Sequence, residues 1–336
     1  MITTNEEINT VLNNKFNEWV ASIEDPTVQT LVRSNTIITG GAIVSLLLKE
    51  QIKDFDVYFK NKETALAVAI YYVNKFNAGN SNRKFMVVDG DTLPDILGYP
   101  KWKRLLIKDV LPGQIRIISL ARPKKNYDPE AEYTRDFDGI DDHEEHQDHR
   151  TQLGLEFDEI DDHEDEPSSR VRVIEKPKEN YKPCFLSHNA VTLSGKVQLI
   201  TRFYGTAEQI HENFDFAHCT NYWESDSRSV TFNPKALSAI ESKELRYVGS
   251  RFPLCSAMRV DKFIIRGWKI DQHQWSKIAA QVLALDLEDP DELRKQMAGY
   301  YSDTFNVLAY EINQLKLELD DDISVKDIME LIKQYT

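Results

Sequence analysis

The chain has 336 residues, of which 41% are hydrophobic and 29% are charged, and its formal net charge is -14. This composition is typical of a folded globular protein and excludes a wholly disordered chain. The sequence has no run of about 18 apolar residues and begins with a polar stretch, which predicts neither a membrane span nor a signal peptide. The three cysteines have no CxxC spacing, so we expect a cytoplasmic protein without disulfides or a cysteine zinc site.

The acidic charge is concentrated in one segment. Residues 134–167 contain 15 acidic residues and two arginines, which leaves 40 acidic and 39 basic residues in the rest of the chain. Within the segment, an octapeptide that begins at Phe137 recurs with one change at Phe157, and four of the eight histidines lie there. The charge run predicts a disordered insertion, because self-repulsion and few apolar groups cannot offset the entropy of ordering. A weak site for a hard cation, or a tether for a protein partner, is the alternative.

The N-terminal third begins with helices and continues as strand, turn and helix. Apolar residues recur at helical spacing over residues 6–32, with an interruption near Pro26, which predicts one or two helices within residues 1–33. A β-branched run at 36–39 precedes the diglycine Gly40-Gly41, and residues 42–51 place apolar side chains on one helical face. This order predicts a strand, a glycine turn and a helix.

The next element is a strand with two chemically different faces. Residues 54–59 alternate, so strand periodicity places Phe55, Val57 and Phe59 on one face, and Asp54 and Asp56 on the other. Further strands and one helix are predicted from short apolar runs and turn residues. They cover residues 85–88, 105–107, 115–118, a hairpin of 190–193 and 197–200, a helix at 206–213, and an alternating strand at 214–219.

Beyond Pro234 the apolar pattern is helical almost to the end of the chain. We therefore predict an α+β fold, in which residues 34–233 form a mixed sheet with flanking helices and residues 234–336 form an all-helical domain. The predicted C-terminal helices cover residues 236–245, 254–265, 274–287, 290–299, 306–319 and 325–335.

Asp54 and Asp56 carry the chemistry of the predicted strand. Two carboxylates at i and i+2 on one face lie about 7 Å apart at their Cα atoms, and away from water they either take up protons or share a cation. Ligation by oxygen alone favours Mg²⁺ or Mn²⁺. The diglycine just upstream opens a helix, whose N–H groups attract phosphate and whose missing Cβ atoms permit close approach. Adjacent metal and phosphate sites predict metal-assisted phosphoryl transfer.

The run from Gly40 to Asp56 resembles the signature of the DNA polymerase β-like nucleotidyltransferase superfamily. It is most similar to the head domain of CCA-adding and poly(A) polymerase enzymes, whose pattern GG-A-V-R-D-x-L-L-G-x-x-x-x-D-h-D it reproduces in spacing. The resemblance implies that Gly40 and Gly41 hold a triphosphate and that Asp54 and Asp56 bind Mg²⁺. Val44 and Ser45 stand where the tRNA-type enzymes have Arg and Asp, a departure that concerns the substrate, and Ser45 stays among the nucleotide-binding candidates.

The superfamily usually supplies a third carboxylate from a later strand, and this resemblance directs attention to Asp215. It lies between two phenylalanines in the predicted strand at 214–219, so it would face the metals while its aromatic neighbours point into the core. An exposed strand aspartate is the alternative. Asp89 and Asp91 are rival candidates that Gly90 makes less attractive, because a glycine between them suggests a turn.

Cations on one predicted helix could hold the nucleotide. Arg259, Lys262 and Arg266 lie at i, i+3 and i+7, which places them on one helical face, where they could contact a triphosphate or a base edge. A solvated helix face is the alternative. Further phosphate candidates are Arg202, Arg246 and Arg251, whereas we expect His218 and Cys219 to be packing or surface residues.

These features predict a metal-dependent nucleotidyltransferase that transfers a nucleoside monophosphate from an NTP to an acceptor hydroxyl. Asp54, Asp56 and Asp215 would bind the metal, and the acceptor that the resemblance implies is an RNA 3' end. Two alternatives stay open: a catalytically silent relative that acts as a binding or structural module, and a toxin-like enzyme that modifies tRNA or a protein. No membrane partner is expected.

Overall fold

The computed structural model describes residues 4–120 except 82 and 109, residues 181–286, and parts of the C-terminal region. The described C-terminal positions are 289, 292, 296, 311–312, 314–317, 319 and 323–334. The acidic segment at 134–167 and most of the predicted helix at 290–299 lie outside the described residues.

Two helices precede the first strand, as the interruption at Pro26 predicts. Helix α1 (Asn5–Ala21) begins at Thr4, whose side chain accepts from the backbone of Glu7 while the Glu7 side chain accepts from Thr4. Asp25 caps helix α2 (Pro26–Asn35), and Pro26 occupies its first turn, where a missing N–H costs nothing. Both helices bury their apolar faces in the same core as the sheet.

Seven strands of the described residues form one mixed sheet. The strands are β1 (Thr36–Thr39), β2 (Phe55–Phe59), β5 (Pro183–Leu186), β6 (Ala190–Leu193), β7 (Val197–Tyr204), β8 (Tyr222–Glu224) and β9 (Ser229–Thr231). The order across the sheet is β5-β6-β7-β2-β1-β8-β9. The neighbours β2 and β7 run parallel, whereas the other neighbouring strands of the sheet are antiparallel.

The alternation predicted for the second strand is confirmed. Phe55, Val57 and Phe59 are buried in the core that the sheet shares with α1, α2 and helix α4 (Lys62–Gly79). Tyr58 belongs to a smaller cluster on the opposite face, under the short helix α6 (Ala207–His211). Helix α3 (Gly41–Leu48) connects β1 to β2, so the strand, turn and helix predicted around the diglycine are present.

A second, two-stranded sheet pairs β3 (Phe85–Asp89) with β4 (Ile115–Ser119). The strand predicted at 105–107 is wrong, because these residues lie in helix α5 (Lys101–Lys108). A run of three apolar residues is too short to show its period, and here Leu106 and Ile107 pack against β3 and β4 as part of a helix.

The strand predicted at 214–219 is also wrong. Only Phe216 makes a β-bridge, with Tyr247, and residues Ala217–Cys219 form a 3₁₀ helix. The alternation that suggested a strand has another cause, since Phe214 packs beside Tyr58 and Phe216 packs in the C-terminal core. Two aromatic side chains thus enter different cores without a continuous ladder between them.

The C-terminal region is helical and has its own core, to which Val44 and Phe216 also contribute. The architecture is therefore α+β, a mixed sheet flanked by helices and followed by helices, as predicted. Among the helices described, none combines the length and apolar character that a membrane crossing requires. The C-terminal helices are α7 (Pro234–Ser242), α8 (Pro253–Ile265), α9 (Gln272–Leu283) and α10 (Val325–Ile332).

Candidate active site

A cavity of ≈ 170 Å³ lies where the β1–α3–β2 unit meets helix α8. Its lining has two chemically different halves, one with charges and glycines and the other with aromatic rings. The charged half includes eight of the nine site residues predicted from the sequence. These are Gly40, Gly41, Ser45, Asp54, Asp56, Asp215, Arg259 and Arg266.

Gly40 forms the bend between β1 and α3. Its φ of 88° and ψ of -147° lie in a region that is essentially restricted to glycine. A Cβ at this position would lie 2.9 Å from Oδ2 of Asp56, which is closer than packing allows. The backbone N–H of Gly40 donates to the carbonyl of Cys219 at 3.2 Å. A glycine is thus required here by both the backbone and the adjacent carboxylate.

The helix that follows presents its first turn to the same cavity. No side chain caps α3 at Gly40, and a Cβ added to Gly41 would meet nothing within 4 Å. The N–H groups of this turn therefore lie beside open space, an arrangement that suits an anion. Ser45, one turn further along α3, also lines the cavity.

Asp54 and Asp56 line the cavity together, as the spacing predicts. Asp56 is 5% exposed and lies in β2 between β1 and β7, whereas Asp54 is half-buried and immediately precedes the strand. Next to them, burial raises the pKa of the Tyr58 hydroxyl well above its usual value, and the charge of Asp56 acts in the same direction. Tyr58 is therefore a neutral wall of the cavity and not a base at neutral pH.

Asp215 reaches the cavity from outside the sheet. Its backbone carbonyl accepts from the N–H of Val248 at 2.9 Å, and its carboxylate accepts from the guanidinium of Arg259. The side chains of the pair are 16% and 14% exposed. Within the described part of the chain, no group of three His, Cys, Asp or Glu side chains is arranged to hold a metal ion. In this structure Asp215 is thus a partner of Arg259 and does not form a ready-made triad with Asp54 and Asp56.

The three cations predicted to share one helical face contribute unequally to the site. Arg259 and Arg266 line the cavity, but Lys262, which lies between them in the sequence, is not among its lining residues. Arg202 and Arg246, two of the other phosphate candidates, do not line the cavity either. Arg202 lies over the rings of Phe203 and Phe252, and Arg246 donates to Ser238.

The rival carboxylates lie elsewhere. Asp89 and Asp91 both form ion pairs with Lys62 beside the two-stranded sheet, and neither lines the cavity. Burial tends to raise the pKa of Asp89, but the hydrogen bond from Lys62 and the backbone N–H of Asp91 bring it below its usual value. These two aspartates are held in a structural cluster.

The aromatic half of the cavity was not predicted as part of a site. His218 is 1% exposed, and its ring packs between those of Phe263 and Trp268, so the expectation of a packing residue is correct as far as its burial goes. Burial lowers the pKa of His218 to about 4; nearby Asp215 raises it and Arg266 lowers it. The signal available in the sequence was the position of His218, three residues after Asp215. The aromatic rings of this half are those of Tyr58, Phe203, Phe214, Phe216, Phe263 and Trp268.

The chemistry of the charged half fits a divalent cation with oxygen ligands. Carboxylate oxygens are preferred by Mg²⁺ and Mn²⁺, and the missing Cβ of Gly40 leaves room beside Oδ2 of Asp56. Asp54 and Asp56 are the residues of the cavity that could hold such an ion.

Fold and site together define an α+β protein with a carboxylate-, glycine- and arginine-lined cavity between its sheet and its C-terminal helices. Residues 10–243 match the family described as "Gad2: Gabija anti-defense 2 family protein", and the chain belongs to this family. The sequence motifs alone did not point to this family.

Proteins similar to the chain include one relative and two solved structures. "Gabija anti-defense 2" of Bacillus phage SPbetaL7 is 24% identical over 139 residues, which cover 41% of this chain and 33% of that relative. The chain thus matches about a third of the length of this relative. A Thermotoga maritima CCA-adding enzyme complexed with tRNA aligns at 11% identity and a TM-score of 0.33, over 95% of this chain and 68% of that one. A CCA-adding enzyme with CTP aligns at 11% and 0.34, over 94% and 65%. TM-scores of this size do not establish a shared fold.

Proposed function

We propose that this Gad2 family protein is a nucleotidyltransferase that transfers a nucleoside monophosphate from an NTP to an acceptor hydroxyl and releases pyrophosphate. The observation that carries the proposal is the contact between Gly40 and Asp56. A bend that only glycine can adopt lies against a buried carboxylate, and a Cβ there would come within 2.9 Å of Oδ2. A phosphate could approach the backbone at this bend, next to a carboxylate that would hold a cation.

The triphosphate would lie between the diglycine bend and helix α8. The N–H groups at the start of α3 attract its oxygens, and Ser45 supplies a hydroxyl from the next turn. Arg259 and Arg266 also line the cavity and bring positive charge to it. A guanidinium presents several donors in one plane, which suits phosphate oxygens better than a single ammonium does.

Asp54 and Asp56 would hold Mg²⁺ or Mn²⁺. When bound, such an ion supplies positive charge that neutralises the phosphate oxygens during phosphoryl transfer. The acceptor oxygen attacks the α-phosphorus, the bond to the β-phosphate oxygen breaks, and the hydroxyl proton passes to a carboxylate. Asp215 is the candidate for that proton and for a third metal contact, and either role requires it to loosen its pairing with Arg259.

The family description directs the choice of acceptor. Because the family is described as anti-defense against Gabija, we propose that the acceptor is a hydroxyl on a protein of that defence. An RNA 3' end, which the resemblance to CCA-adding enzymes implies, is the competing acceptor and an outcome of the test below.

A second candidate function is a catalytically silent binding module. The observation that favours it is the ion pair of Asp215 with Arg259, which occupies the predicted third metal ligand. Such a protein would counteract its target by binding alone and would keep the cavity without using it for transfer.

The two functions separate in a labelling experiment. Purified full-length chain is incubated with each α-³²P-labelled NTP, with Mg²⁺ or Mn²⁺, and with either the proteins of the Gabija defence or an RNA pool. The proposal expects label on protein, its loss in Asp54→Asn with Asp56→Asn, and its retention in Asp226→Asn, a matched change outside the cavity. Label on RNA would overturn the choice of acceptor, and label that survives the double change would overturn the mechanism.

A cellular readout completes the comparison. Plating of a phage on cells that carry the defence measures whether the chain counteracts it. If no NTP labels any acceptor and the double variant still counteracts the defence, the protein is a silent binding module.

A further inference from the structure

The cavity has an aromatic half that triphosphate binding does not use. Phe263 and Trp268 form part of this wall, and their rings lie 6.1 Å apart between centroids. The imidazole of His218 lies against both, with its centroid 4.8 Å from that of Phe263 and 4.4 Å from that of Trp268. A planar aromatic ligand finds in such a wall the stacking and edge contacts that aromatic rings prefer.

His218 places a polar atom in this apolar wall. The side chain is 1% exposed, and its Nδ1 atom has no hydrogen-bond partner among the described residues. Buried polar atoms of native proteins are almost always hydrogen-bonded, and an exception at a ligand cavity points to a ligand as the partner. Packing alone accounts for a ring at this position, but it does not account for a ring with a buried nitrogen.

The backbone connects His218 to the bend at Gly40. The 3₁₀ helix Ala217–Cys219 carries His218, and the carbonyl of Cys219 accepts from the N–H of Gly40 at 3.2 Å. One hydrogen bond therefore joins the diglycine bend to the residue that follows His218. A ligand with a phosphate tail and an aromatic ring would be held at both ends by one rigid unit.

We infer that His218, Phe263 and Trp268 form the subsite for the nucleobase of the NTP, and that Nδ1 of His218 reads the hydrogen-bonding edge of the base. This inference rests on the proposed function and adds to it the residue that selects the nucleotide.

The charge state of His218 determines what it can read. Burial lowers its pKa to about 4, so the ring is neutral at pH 7 and carries one donor and one acceptor nitrogen. The tautomer of the neutral ring decides whether Nδ1 donates to a keto oxygen or accepts from an amino group of the base. The wrong base then leaves two like groups facing each other. In one tautomer His218 would therefore favour ATP and CTP, and in the other GTP and UTP.

Equilibrium binding to the full chain tests the inference. The probes are the four NTPs and inorganic tripolyphosphate, which has the tail without a base. We expect the amino and keto nucleotides to differ by about tenfold or more in affinity, the size expected when one buried hydrogen bond is mismatched. In His218→Phe, which keeps a ring against Phe263 and Trp268, the difference should fall to within about threefold while tripolyphosphate binds as before.

A matched control and the opposing outcomes complete the test. His211 is a half-buried histidine whose pKa burial also lowers to about 4, but it does not line the cavity, so His211→Gln should leave nucleotide selectivity unchanged. If the wild-type chain binds NTPs without selectivity, or if His218→Phe retains it, the subsite is wrong and the proposed function stands. If neither NTPs nor tripolyphosphate bind, the proposed function itself is overturned.

Discussion

The carboxylate of Asp215 accepts a hydrogen bond from the guanidinium of Arg259 at the wall of the cavity. From the sequence, the first residue is expected to bind a metal and the second a phosphate. Their pairing means that the two ligands compete with an existing contact. A triphosphate that binds Arg259 would release Asp215, which couples nucleotide binding to the third carboxylate.

A double-mutant cycle measures this pair. Asp215→Ala, Arg259→Ala and the double variant should show a coupling free energy of unfolding of about 1–2 kcal/mol without ligand, because a charge-assisted hydrogen bond is partly shielded from water. With saturating NTP the coupling should decrease, since Arg259 then shares its donors with phosphate. A coupling that is unchanged by NTP would contradict a role for Arg259 in phosphate binding.

Gly40 should not tolerate a side chain. Gly40→Ala is expected to lower the free energy of unfolding by about 1–3 kcal/mol, because alanine is strained at this φ and ψ and its Cβ would lie against Asp56. Chemical denaturation measures the change, and NTP binding should weaken with it. The matched variant for stability is Gly41→Ala, which has open space at the start of a helix and should be neutral or stabilising by up to about 1 kcal/mol. An equal decrease in the free energy of unfolding of both variants would show that Gly40 needs a glycine no more than Gly41 does.

The stability of the fold should decrease in mild acid because of two histidines. Burial lowers the pKa of His211 and of His218 to about 4, below the value near 6.5 of an unfolded chain. The unfolded state therefore binds protons first, so stability is complete above about pH 6.5 and is lost as the pH falls toward 4.

Replacement of one histidine isolates its share of this dependence. Each histidine accounts for at most about 3 kcal/mol, from the difference between the two pKa values. Denaturation curves between pH 7 and pH 4 should therefore be flatter for His218→Phe than for the wild type. The same pH dependence in both proteins would show that the pKa of His218 is the same in the folded and the unfolded states.

The Lys62 cluster should contribute to stability but not to nucleotide binding. Lys62 pairs with Asp89 and Asp91 away from the cavity. Asp89→Asn is therefore expected to lower the melting temperature and to leave the NTP dissociation constant unchanged. Asp54→Asn should instead leave the melting temperature unchanged and change the NTP dissociation constant. A loss of nucleotide affinity in Asp89→Asn would restore the rival assignment of the third carboxylate.

Local patterns predicted much of the fold around the cavity. The β1–α3–β2 unit, its diglycine and the faces of β2 follow from periodicity and turn chemistry within about twenty residues. The same patterns failed at 105–107 and 214–219, where short apolar runs pack in different cores and their period is too brief to separate helix from strand. The strands β5, β8 and β9, of which β5 and β9 form the edges of the sheet, had no clear pattern either.

The sequence by itself determined that two aspartates and a diglycine bend come together, because fewer than twenty residues separate them and a strand and a helix fix their directions. Only the tertiary structure decided which distant groups join them. Asp215, His218 and Arg259 meet at the cavity through packing between the sheet and the C-terminal helices. Such long-range contacts depend on the shape of both surfaces, and no periodicity along the chain encodes that Asp215 would find an arginine, or that a histidine would be buried between two aromatic rings.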